Sequence, residues 1–408
     1  MMNTLNIENE KRSILLILPN LQGGGAEKTA INLLSGIDKN KYDCRIMLLR
    51  DEGVHLQTAI DAGWLVDSPK EPEILRKMHL ENPLRILFSA WQIRKVATKY
   101  KPDIILTFMS DTSIPMYLSR SREAIGAYWI AREGSNTPRA IQETISGRFM
   151  PFVAQKMVGI SLRSCDELLC ISKGMIDNFA KAYHVTKEKI TVIYNPINLS
   201  KLMNTTCLQL IAPNDSSMQR SFNDQRPMIL AVGRLSHQKG FDILIRAFSN
   251  TLAKKGFQLT ILGEGEQRSK LENLVVELKL TDCVHLPGFH KNPEIWMKKA
   301  HCFVLSSRWE GFGHVVVEAM TMGTPVISTQ CQFGPEEILE YGKSGKLIPT
   351  ENQLALEDAL VEISDENAVI TPQRVTRARQ RVKDFCLKTI VADYEYLFTK
   401  VIMNRSKW

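Results

Sequence analysis

The chain alternates between short unbroken apolar runs and longer stretches in which apolar residues recur every three or four positions. The first run, SILLILPN (13–20), is followed by a glycine loop and then by a helical pattern over residues 30–37. A strand of a parallel sheet is covered by helices on both faces, so its sequence is an unbroken run of apolar residues. The order of strand, loop, helix and strand therefore predicts the start of a doubly wound parallel sheet.

The same alternation continues to about residue 195. Residues 84–100, LRILFSAWQIRKVATKY, are predicted as a basic amphipathic helix. Further buried strands are predicted at CRIMLL (44–49), DIILTF (103–108), AYWIAR (127–132), ELLCIS (167–172) and ITVIYN (190–195). Residues 1–196 are therefore predicted to form one Rossmann-like domain.

Residues 196–227 interrupt this alternation, since they are rich in polar residues and proline and have no sustained period. An interdomain linker is predicted at 197–227. The alternation then restarts, with strands predicted at MILAV (228–232), FQLTIL (257–262), VHLPG (284–288), HCFVLSS (301–307) and PVIST (325–329). A second Rossmann-like domain is predicted over 228–387, and the closing helix, about 388–408, is assigned to the first domain. The fold class is α/β, with two doubly wound domains facing each other across a cleft.

The composition is that of an ordinary globular protein, since 44% of the 408 residues are apolar and 24% are charged. The net charge of +8 is spread over both halves and suits anionic small molecules or an anionic membrane surface. No dense run of Lys and Arg is present, so nucleic acid is not expected as a partner. No apolar stretch reaches the ~18 residues of a membrane span, and the polar start lacks a signal-peptide core. A cytosolic protein, at most peripheral to a membrane, is expected.

The eight cysteines form no CxxC pair, and no paired histidines follow them at zinc-ligand spacing. Most lie in apolar runs, as Cys302 does in HCFVLSS. We therefore expect buried free thiols rather than a disulfide framework. No D-x-D, HExxH or GxSxG motif occurs either, so no essential metal or other cofactor is expected.

Ligands of open α/β sheets bind at the carboxyl ends of the strands, so the loops that follow strands are where chemistry is expected. Residues 23–25 are three glycines that can bring the backbone close to a phosphate or a sugar. Lys28 breaks the G-x-G-x-x-G pattern there, so a tight turn is an equal alternative. GEGEQR (263–268) also breaks that pattern, at Arg268, and is interpreted as a strand–helix turn with some donor contact.

The loop after MILAV carries two cations between two glycines. Gly233 and Arg234 begin it, and Lys239 and Gly240 end it. A guanidinium and an ammonium at the carboxyl end of a strand can clamp a diphosphate. The alternative is a pair of solvated surface charges, but the bracketing glycines and the position in the fold favour phosphate binding.

The loop after HCFVLSS contains two glutamates eight residues apart, Glu310 and Glu318, in EGFGHVVVE. Gly311 and Gly313 free the backbone just before a helix, whose N-terminus can hold phosphate. A carboxylate on that helix is a good partner for sugar or ribose hydroxyls. For Glu318 the alternative is a first-turn glutamate that compensates the helix dipole.

Together these residues resemble the second domain of glycosyltransferase family 4, whose members have the GT-B architecture of two Rossmann-like domains. The likeness lies in AVGRLSHQKGFDILIRAF, ILGEGEQRSKLE, EGFGHVVVE with EAMTMGTPVIST, and CQFGPEEIL. Their order and spacing match the family over about residues 226–350. The first half matches more loosely, through its glycine loop and strand pattern. The lengths around CQFGPEEIL most resemble those of bacterial enzymes that build cell-surface polysaccharide, such as lipopolysaccharide or capsule.

The resemblance implies a retaining transfer of a hexose or N-acetylhexosamine from a nucleoside-diphosphate sugar to a saccharide acceptor, which is expected to be lipid-linked. It implies that Arg234 and Lys239 neutralise the departing diphosphate and that Glu310 lies near the donor sugar. It implies that Glu318 holds the ribose. The other donor-binding residues that the loops and the resemblance indicate are Gly24, Gly25, Gly233, Gly263, Gly311, Phe312 and Gly313.

One position departs from the family pattern. Many relatives carry Glu-His after the strand that matches AYWIAR, and that histidine contacts the donor sugar, whereas Gly134 stands there in this chain. Asp111, Arg132 and Glu133 are candidates for its role, with a structural role at the strand end as the alternative. Two other functions stay open: a GT-B nucleotide-sugar epimerase, and a non-catalytic sugar-nucleotide-binding subunit of a polysaccharide complex.

Residues 84–101 also predict a peripheral membrane surface. The predicted apolar stripe consists of Leu84, Leu87, Phe88, Trp91 and Val96, and the charges beside it are Arg85, Arg94, Lys95, Lys99 and Lys101. Further basic residues flank the apolar segment FMPFVA (149–154). A basic amphipathic helix with aromatic residues can lie in an anionic headgroup layer. A helix that merely covers the sheet has the same pattern and is the alternative.

Overall fold

A computed structural model describes residues 11–76, 82–120, 125–144, 150–208, 219, 222–365 and 370–405. These residues form two compact units. The first comprises the described residues up to Pro196 together with those from Leu387 onward, and the second is Ile197–Cys386. Each unit has a parallel sheet with helices beside it, so the predicted α/β class is confirmed.

The first unit is built on a parallel sheet. Its strands are β1 (Arg12–Leu18), β2 (Tyr42–Leu48), β3 (Ile104–Phe108), β4 (Tyr128–Glu133), β5 (Glu167–Cys170) and β6 (Ile190–Val192). They follow the order β2-β1-β3-β4-β5-β6. Ile14 of β1 stands opposite Cys44 of β2 and Ile104 of β3. Residues 14–18 are buried because helices cover both faces of the sheet.

The helices of this unit fall on two faces of the sheet. They begin with α1 (Gly25–Gly36), α2 (Leu56–Asp61), α3 (Glu73–Arg76), α4 (Pro83–Tyr100), α5 (Ser110–Ser119), α6 (Thr137–Thr144), α7 (Met150–Ser164) and α8 (Met175–Tyr183). The crossovers from β2 to β3, β3 to β4 and β4 to β5 all run the same way across the sheet. Right-handed crossovers therefore place α4, α5 and α7 on one face, and α5 packs against both of the others.

The second unit has its own parallel sheet. Its strands are β7 (Met228–Val232), β8 (Gln258–Leu262), β9 (Val284–Gly288), β10 (Cys302–Leu305), β11 (Val326–Thr329) and β12 (Lys346–Ile348). The order is β12-β11-β10-β7-β8-β9. Ile229 of β7 stands opposite Leu259 of β8 and Cys302 of β10, all fully buried.

The helices of the second unit alternate with these strands. They are α9 (Leu199–Leu208), α10 (Phe241–Asn250), α11 (Arg268–Glu277), α12 (Glu294–Lys299), α13 (His314–Met322), α14 (Pro335–Ile338), α15 (Gln353–Ser364) and α16 (Ile370–Arg381). Helix α13 stops at Gly323, whose φ of 77° closes the helix in the left-handed conformation that glycine adopts without strain.

The last helix, α17 (Leu387–Arg405), returns to the first unit and packs against α1. Tyr394 and Phe398 of this helix are fully buried in the first unit's core. The hydroxyls of Tyr42 and Thr399 are 2.9 Å apart, which ties α17 to β2. The chain therefore closes the core of its first unit with its last helix.

The fold differs from the sequence interpretation in two places. The segment interpreted as a linker belongs to the second unit from Ile197 on, and α9 within it packs against α12 and α13. Strand β12 was not among the predicted strands. Its sequence, KLI, has only two apolar residues in a row, which is too short a run to indicate a strand.

The seven cysteines whose side chains the structure describes are all free, and five of them are buried. Burial raises the pKa of the Cys302 thiol to about 12. A thiol with so high a pKa stays protonated at neutral pH and is therefore unreactive. This agrees with the expectation of buried thiols.

Candidate active site

In the second unit, the loops after β7 and β10 leave the sheet at its topological switch point. β7 and β10 are neighbours, but the strands that follow them, β8 and β11, lie on opposite sides of that pair. The two crossovers therefore diverge and leave a crevice at the carboxyl edge, where open α/β sheets bind ligands. Arg234 and Lys239 lie on the first loop, and Glu310 lies on the second.

The loop after β7 brings Lys239 back over its own start. His237–Lys239 form a turn of 3₁₀ helix that ends at Gly240, where φ is 61°. A Cβ at Gly240 would lie 2.2 Å from the Ser306 carbonyl oxygen, so glycine is required for this close approach. The alkyl chain of Lys239 covers Gly233, where a Cβ would lie 3.3 Å from Lys239 Cε. Arg234 is exposed on the same loop, so its guanidinium is accessible to a ligand.

Lys239 and Glu310, which belong to separate motifs, are in direct contact. Lys239 Nζ lies 2.5 Å from Glu310 Oε1. The Ser307 hydroxyl donates to the same oxygen at 2.7 Å. The side chains of Lys239 and Glu310 are 17% and 8% exposed, so the pair is largely withdrawn from water. A charged pair in such surroundings interacts more strongly than it would in water.

Residues 311–313 lead the chain from Glu310 into α13 through backbone groups. Phe312 is buried, and its ring packs edge-on against Phe385 with centroids 5.5 Å apart. Its side chain therefore anchors the loop, and only its backbone can serve a ligand. Gly311 is also buried, and Gly313 precedes α13 with φ at 96°. The N-terminus of α13 follows directly and presents backbone N–H groups at this edge.

Glu318 is the fifth residue of α13 and is 5% exposed. It is therefore a buried carboxylate that lies just beyond the first turn of the helix. A buried carboxylate requires hydrogen-bond or charge partners to offset its lost hydration. This placement is compatible with the hydroxyl-binding role that the resemblance implies.

Gly263 packs directly against the loop that carries Arg234 and Lys239. Its φ is 148°, and a Cβ there would lie 1.8 Å from the Gly233 carbonyl oxygen. Gly265 has the same restriction, because a Cβ would lie 2.5 Å from the Leu235 carbonyl oxygen. The glycines of GEGEQR therefore bring two loops together, a role that explains them without a dinucleotide.

The sequence motifs gave no sign of the residues that join the loops after β7 and β10. Gln238 Nε2 donates to the Trp309 carbonyl at 2.9 Å, between residues 71 positions apart. The Ser306 hydroxyl donates to the Lys239 carbonyl at 2.9 Å. Such contacts link distant segments and have no local spacing, so only the structure reveals them. Ser307, described above, was missed for the same reason.

The first unit has a switch point of its own between β1 and β3. Gly23 there has φ at 96°, Gly24 caps α1, and Gly25 is the first residue of that helix. A Cβ on Gly24 would lie 2.7 Å from Glu27 Oε2, so glycine lets that carboxylate fold over the helix start. A tight turn at the start of α1 is enough to explain these glycines. Their contact with a sugar donor stays a prediction.

The three candidates near Gly134 have different surroundings. Asp111 is exposed in the first turn of α5. Arg132 is fully buried, and its Nε donates to the Tyr394 hydroxyl at 3.2 Å while Nη2 donates to Asn195. Its guanidinium also lies 4.9 Å above the Phe108 ring. Arg132 thus ties α17 to the sheet.

Glu133 is also fully buried, at the carboxyl end of β4. The Thr137 hydroxyl donates to its Oε2 at 2.8 Å. Burial raises the pKa of the Glu133 carboxyl to about 7, and the charge of Asp111 adds to this, while Thr137 and Arg132 act against it. The carboxyl therefore changes its protonation state near neutral pH in the folded protein.

We expect Glu133 to make the protein less stable as pH rises from about 4.5 to about 7. Over that window the unfolded chain has lost a proton that the folded chain still holds, so the free energy of unfolding falls with pH and levels off above it. Glu133→Gln should remove this part of the slope, measured as the melting midpoint against pH. Exposed Glu277 supplies the control, Glu277→Gln. An unchanged slope in Glu133→Gln would contradict the assignment.

Two family models and several known proteins are similar to this chain. A family model described as Glycosyl transferases group 1 matches residues 214–382, and one described as Glycosyltransferase Family 4 matches residues 23–201. The chain is 28% identical over 378 residues to an uncharacterised glycosyltransferase of Methanocaldococcus jannaschii, covering 82% of this chain and 89% of the relative.

Two bacterial relatives have named functions. One is the N-acetylgalactosamine-N,N'-diacetylbacillosaminyl-diphospho-undecaprenol 4-alpha-N-acetylgalactosaminyltransferase of Campylobacter jejuni, 25% identical over 380 residues, with 93% of this chain and 97% of the relative covered. The other is the lipopolysaccharide core biosynthesis glycosyltransferase LpsE of Rhizobium meliloti, 25% identical over 354 residues, with 85% and 88% covered.

Solved structures share the fold of the whole chain. A glycosyltransferase from Rickettsia africae has a TM-score of 0.73 at 18% identity, and covers 97% of this chain and 100% of its own. HepE of Anabaena, solved in complex with UDP, has a TM-score of 0.73 at 18% identity, with 95% and 100% covered. The predicted class of two Rossmann-like GT-B domains is therefore confirmed.

Proposed function

Because the chain belongs to glycosyltransferase family 4, we propose that it transfers a hexose or N-acetylhexosamine from a nucleoside-diphosphate sugar to a lipid-linked saccharide, with retention at the anomeric carbon. The proposal places this step in the synthesis of a cell-surface polysaccharide, the work named for several of its relatives. The Campylobacter relative's name includes a diphospho-undecaprenol saccharide, which supports a lipid-linked acceptor.

The observation that carries the proposal is the contact between Lys239 and Glu310. Two segments 71 positions apart meet at the switch point and hold a cation against a carboxylate. A leaving nucleoside diphosphate develops negative charge, which Lys239, Arg234 and the N-terminus of α13 are placed to stabilise. The hydroxyls of the transferred sugar can donate hydrogen bonds to a fixed carboxylate such as that of Glu310.

The experiment measures donor recognition first and transfer second. Melting midpoints of the full chain are recorded with UDP, GDP and ADP, since a ligand that binds the folded state raises the midpoint in proportion to ln(1 + [L]/Kd). Sugars of the preferred nucleotide are then incubated with a diphospho-undecaprenol-linked acetamido sugar. We expect one nucleotide to stabilise the protein and an α-donor to give an α-linked product. Transfer with inversion, or an epimer formed from donor alone, would contradict the proposal.

We further propose that the transfer needs no divalent metal. The chain has no D-x-D motif, and in its described part no three His, Cys, Asp or Glu side chains are grouped to hold a metal ion. The diphosphate charge is then balanced by Arg234, Lys239 and the N-terminus of α13. Transfer should keep more than half of its rate in excess EDTA. Abolition by EDTA and recovery with Mg²⁺ or Mn²⁺ would refute this.

We propose that the protein reaches its acceptor at an anionic membrane, and that α4 and α7 form the surface that binds this membrane. No helix in the described ranges combines the length and apolarity needed to cross a bilayer. On the outer side of α4, however, Leu84, Leu87 and Trp91 are 49–59% exposed, and Arg94 and Lys95 lie beside them. Lys95 Nζ lies 5.2 Å from the centroid of the Trp91 ring. Exposed apolar side chains next to cations suit a headgroup layer.

Helix α7 adds to this surface. Met150, Phe152 and Val153 are exposed there, and Lys156 Nζ lies 4.4 Å from the Phe152 ring centroid. Leu118 of α5, the helix that packs between α4 and α7, is exposed as well. Three neighbouring helices on one face of the sheet thus carry exposed apolar residues. Arg148, one of the basic residues that flank the segment FMPFVA (149–154), lies outside the described residues.

Two residues of the predicted membrane surface, one from the apolar stripe and one from the charges beside it, point inward. Val96 is 1% exposed because it faces the sheet. Arg85 is 4% exposed, and its guanidinium binds both carboxylate oxygens of Glu71, with Nη2 at 2.9 Å from Oε2. The prediction that Arg85 supplies surface charge and Val96 surface apolarity was therefore wrong, because α4 also has to cover the sheet.

We expect the full chain to co-sediment with phosphatidylglycerol vesicles at low salt and to be released at high salt. Each Lys or Arg near an anionic surface contributes about 1 kcal/mol, so Arg94→Glu with Lys95→Glu should reduce the bound fraction by an order of magnitude or more. The matched control is Lys254→Glu with Lys255→Glu, an exposed pair in the second unit. Equal binding to neutral vesicles, or equal loss in both double variants, would exclude this surface.

A further inference from the structure

Arg308 lies where three loops of the second unit's carboxyl edge meet. It follows β10 and lies two residues before Glu310. The side chain is 7% exposed, so its charge has lost most of its hydration. A buried guanidinium is tolerated only where several acceptors replace that hydration. The positions of those acceptors show what the residue holds together.

The first set of acceptors lies on the loop that carries Lys239. The Arg308 backbone N–H donates to the Gln238 carbonyl at 2.7 Å. Its Nη1 donates to the His237 carbonyl at 2.8 Å. The main chain on the N-terminal side of Lys239 is therefore held at two consecutive residues by one arginine.

The second acceptor lies on the other side of Lys239, in the first turn of α10. Arg308 Nη1 and Nη2 donate to Asp242 Oδ1 and Oδ2 at 2.9 and 2.8 Å. This paired geometry fixes the direction as well as the distance of the two planar groups. Lys239 thus lies between two anchored points, His237–Gln238 and Asp242. The Arg308 side chain supplies the contacts with His237 and Asp242, and its backbone N–H supplies the contact with Gln238.

The third acceptor comes from the loop after β12. Arg308 Nε donates to Glu351 Oε1 at 3.2 Å. Glu351 has φ at 57°, a left-handed conformation that is uncommon outside glycine and costs free energy. Contact with Arg308 is one interaction that offsets this strain.

We propose that Arg308 is a positioning residue for the transfer, which fixes the Lys239 loop against the Glu310 loop. The inference rests on the proposed function of Lys239 and Glu310, since Arg308 itself acts through them. With Arg308 in place, Lys239 Nζ and Glu310 Oε1 lie 2.5 Å apart. A misplacement of about 1 Å at such a contact can lower a rate by about 10²-fold.

The test is a double-mutant cycle between Arg308→Ala and Lys239→Ala, with kcat and donor KM measured for each. We expect Arg308→Ala to lower kcat/KM by about 10–100-fold, and the double variant to be no worse than Lys239→Ala alone, because Arg308 acts by positioning Lys239 and has no effect through it once Lys239 is removed. Arg308→Lys should recover little, since an ammonium cannot reproduce the fork. The matched control is Arg377→Ala, which removes a paired contact with Glu340 at 2.7 Å elsewhere in the unit.

Three results would overturn the proposal. They are wild-type kinetics in Arg308→Ala, full recovery in Arg308→Lys, and multiplied losses in the double variant. Amide hydrogen exchange of residues 236–240 supplies a readout without donor: Arg308→Ala should accelerate it, and Arg377→Ala should not. If Lys239→Ala keeps full activity, the proposed function of Lys239 fails. The exchange data then decide separately whether Arg308 positions the loop.

Discussion

Replacing Lys239 with alanine is expected to lower kcat/KM by two or more orders of magnitude. Removal of one preorganised charged contact at a developing anion costs roughly 2.7–4 kcal/mol of transition-state stabilisation. Lys239 is 17% exposed and already fixed against Glu310, so water cannot easily replace it. Arg234→Ala should have an effect of the same order, since its guanidinium is the other cation of the loop. Steady-state kinetics with the preferred nucleotide sugar measure both.

The control for this prediction is Lys254→Ala, an exposed lysine of the same unit outside the carboxyl-edge loops. It should keep wild-type kinetics. Lys239→Arg separates charge from shape, because the guanidinium is longer and planar and should restore only part of the rate. Wild-type kcat/KM in Lys239→Ala or Arg234→Ala would show that the loop after β7 does not bind the diphosphate.

The sheets of both units were predictable from sequence because their strands are buried on both faces. Ile14 to Leu18 and Met228 to Ala231 are unbroken apolar runs, and they became strands at nearly the expected bounds. Parallel order follows from alternation with helices, since a crossover must pass over a face of the sheet. The site loops followed from the rule that ligands bind at the carboxyl edge.

The sequence could not predict which groups the polar side chains contact. Arg85 and Arg132 are charged residues that pattern alone assigns to a surface or a site, yet Glu71 and Asn195 hold them inside. The contact of Lys239 with Glu310 joins two motifs that each suggest a ligand but contain no sign of the other. Such pairings depend on tertiary packing and not on period or spacing.

Substitutions of Glu310 and Glu318 are expected to change different kinetic constants. Glu310→Gln should lower kcat by about two orders of magnitude with little change in donor KM. Its carboxylate is fixed by Lys239 and Ser307 on one oxygen, and the amide keeps the size but loses the charge that orients Lys239. Glu318→Ala should instead raise donor KM roughly tenfold and leave kcat nearly unchanged, because a hydrogen bond to a bound hydroxyl contributes about 1–3 kcal/mol in both ground and transition states.

The test depends on which kinetic constant changes in each variant, since a loss of folding would lower kcat in both. Ser307→Ala is the graded control for Glu310: it removes one of the two groups on Oε1, so its effect on kcat should be smaller than that of Glu310→Gln and of the same kind. A rise in donor KM with unchanged kcat in Glu310→Gln would assign that residue to ground-state binding. The reverse pattern in Glu318→Ala would place that carboxylate at the reacting sugar, and the two glutamates would then exchange roles.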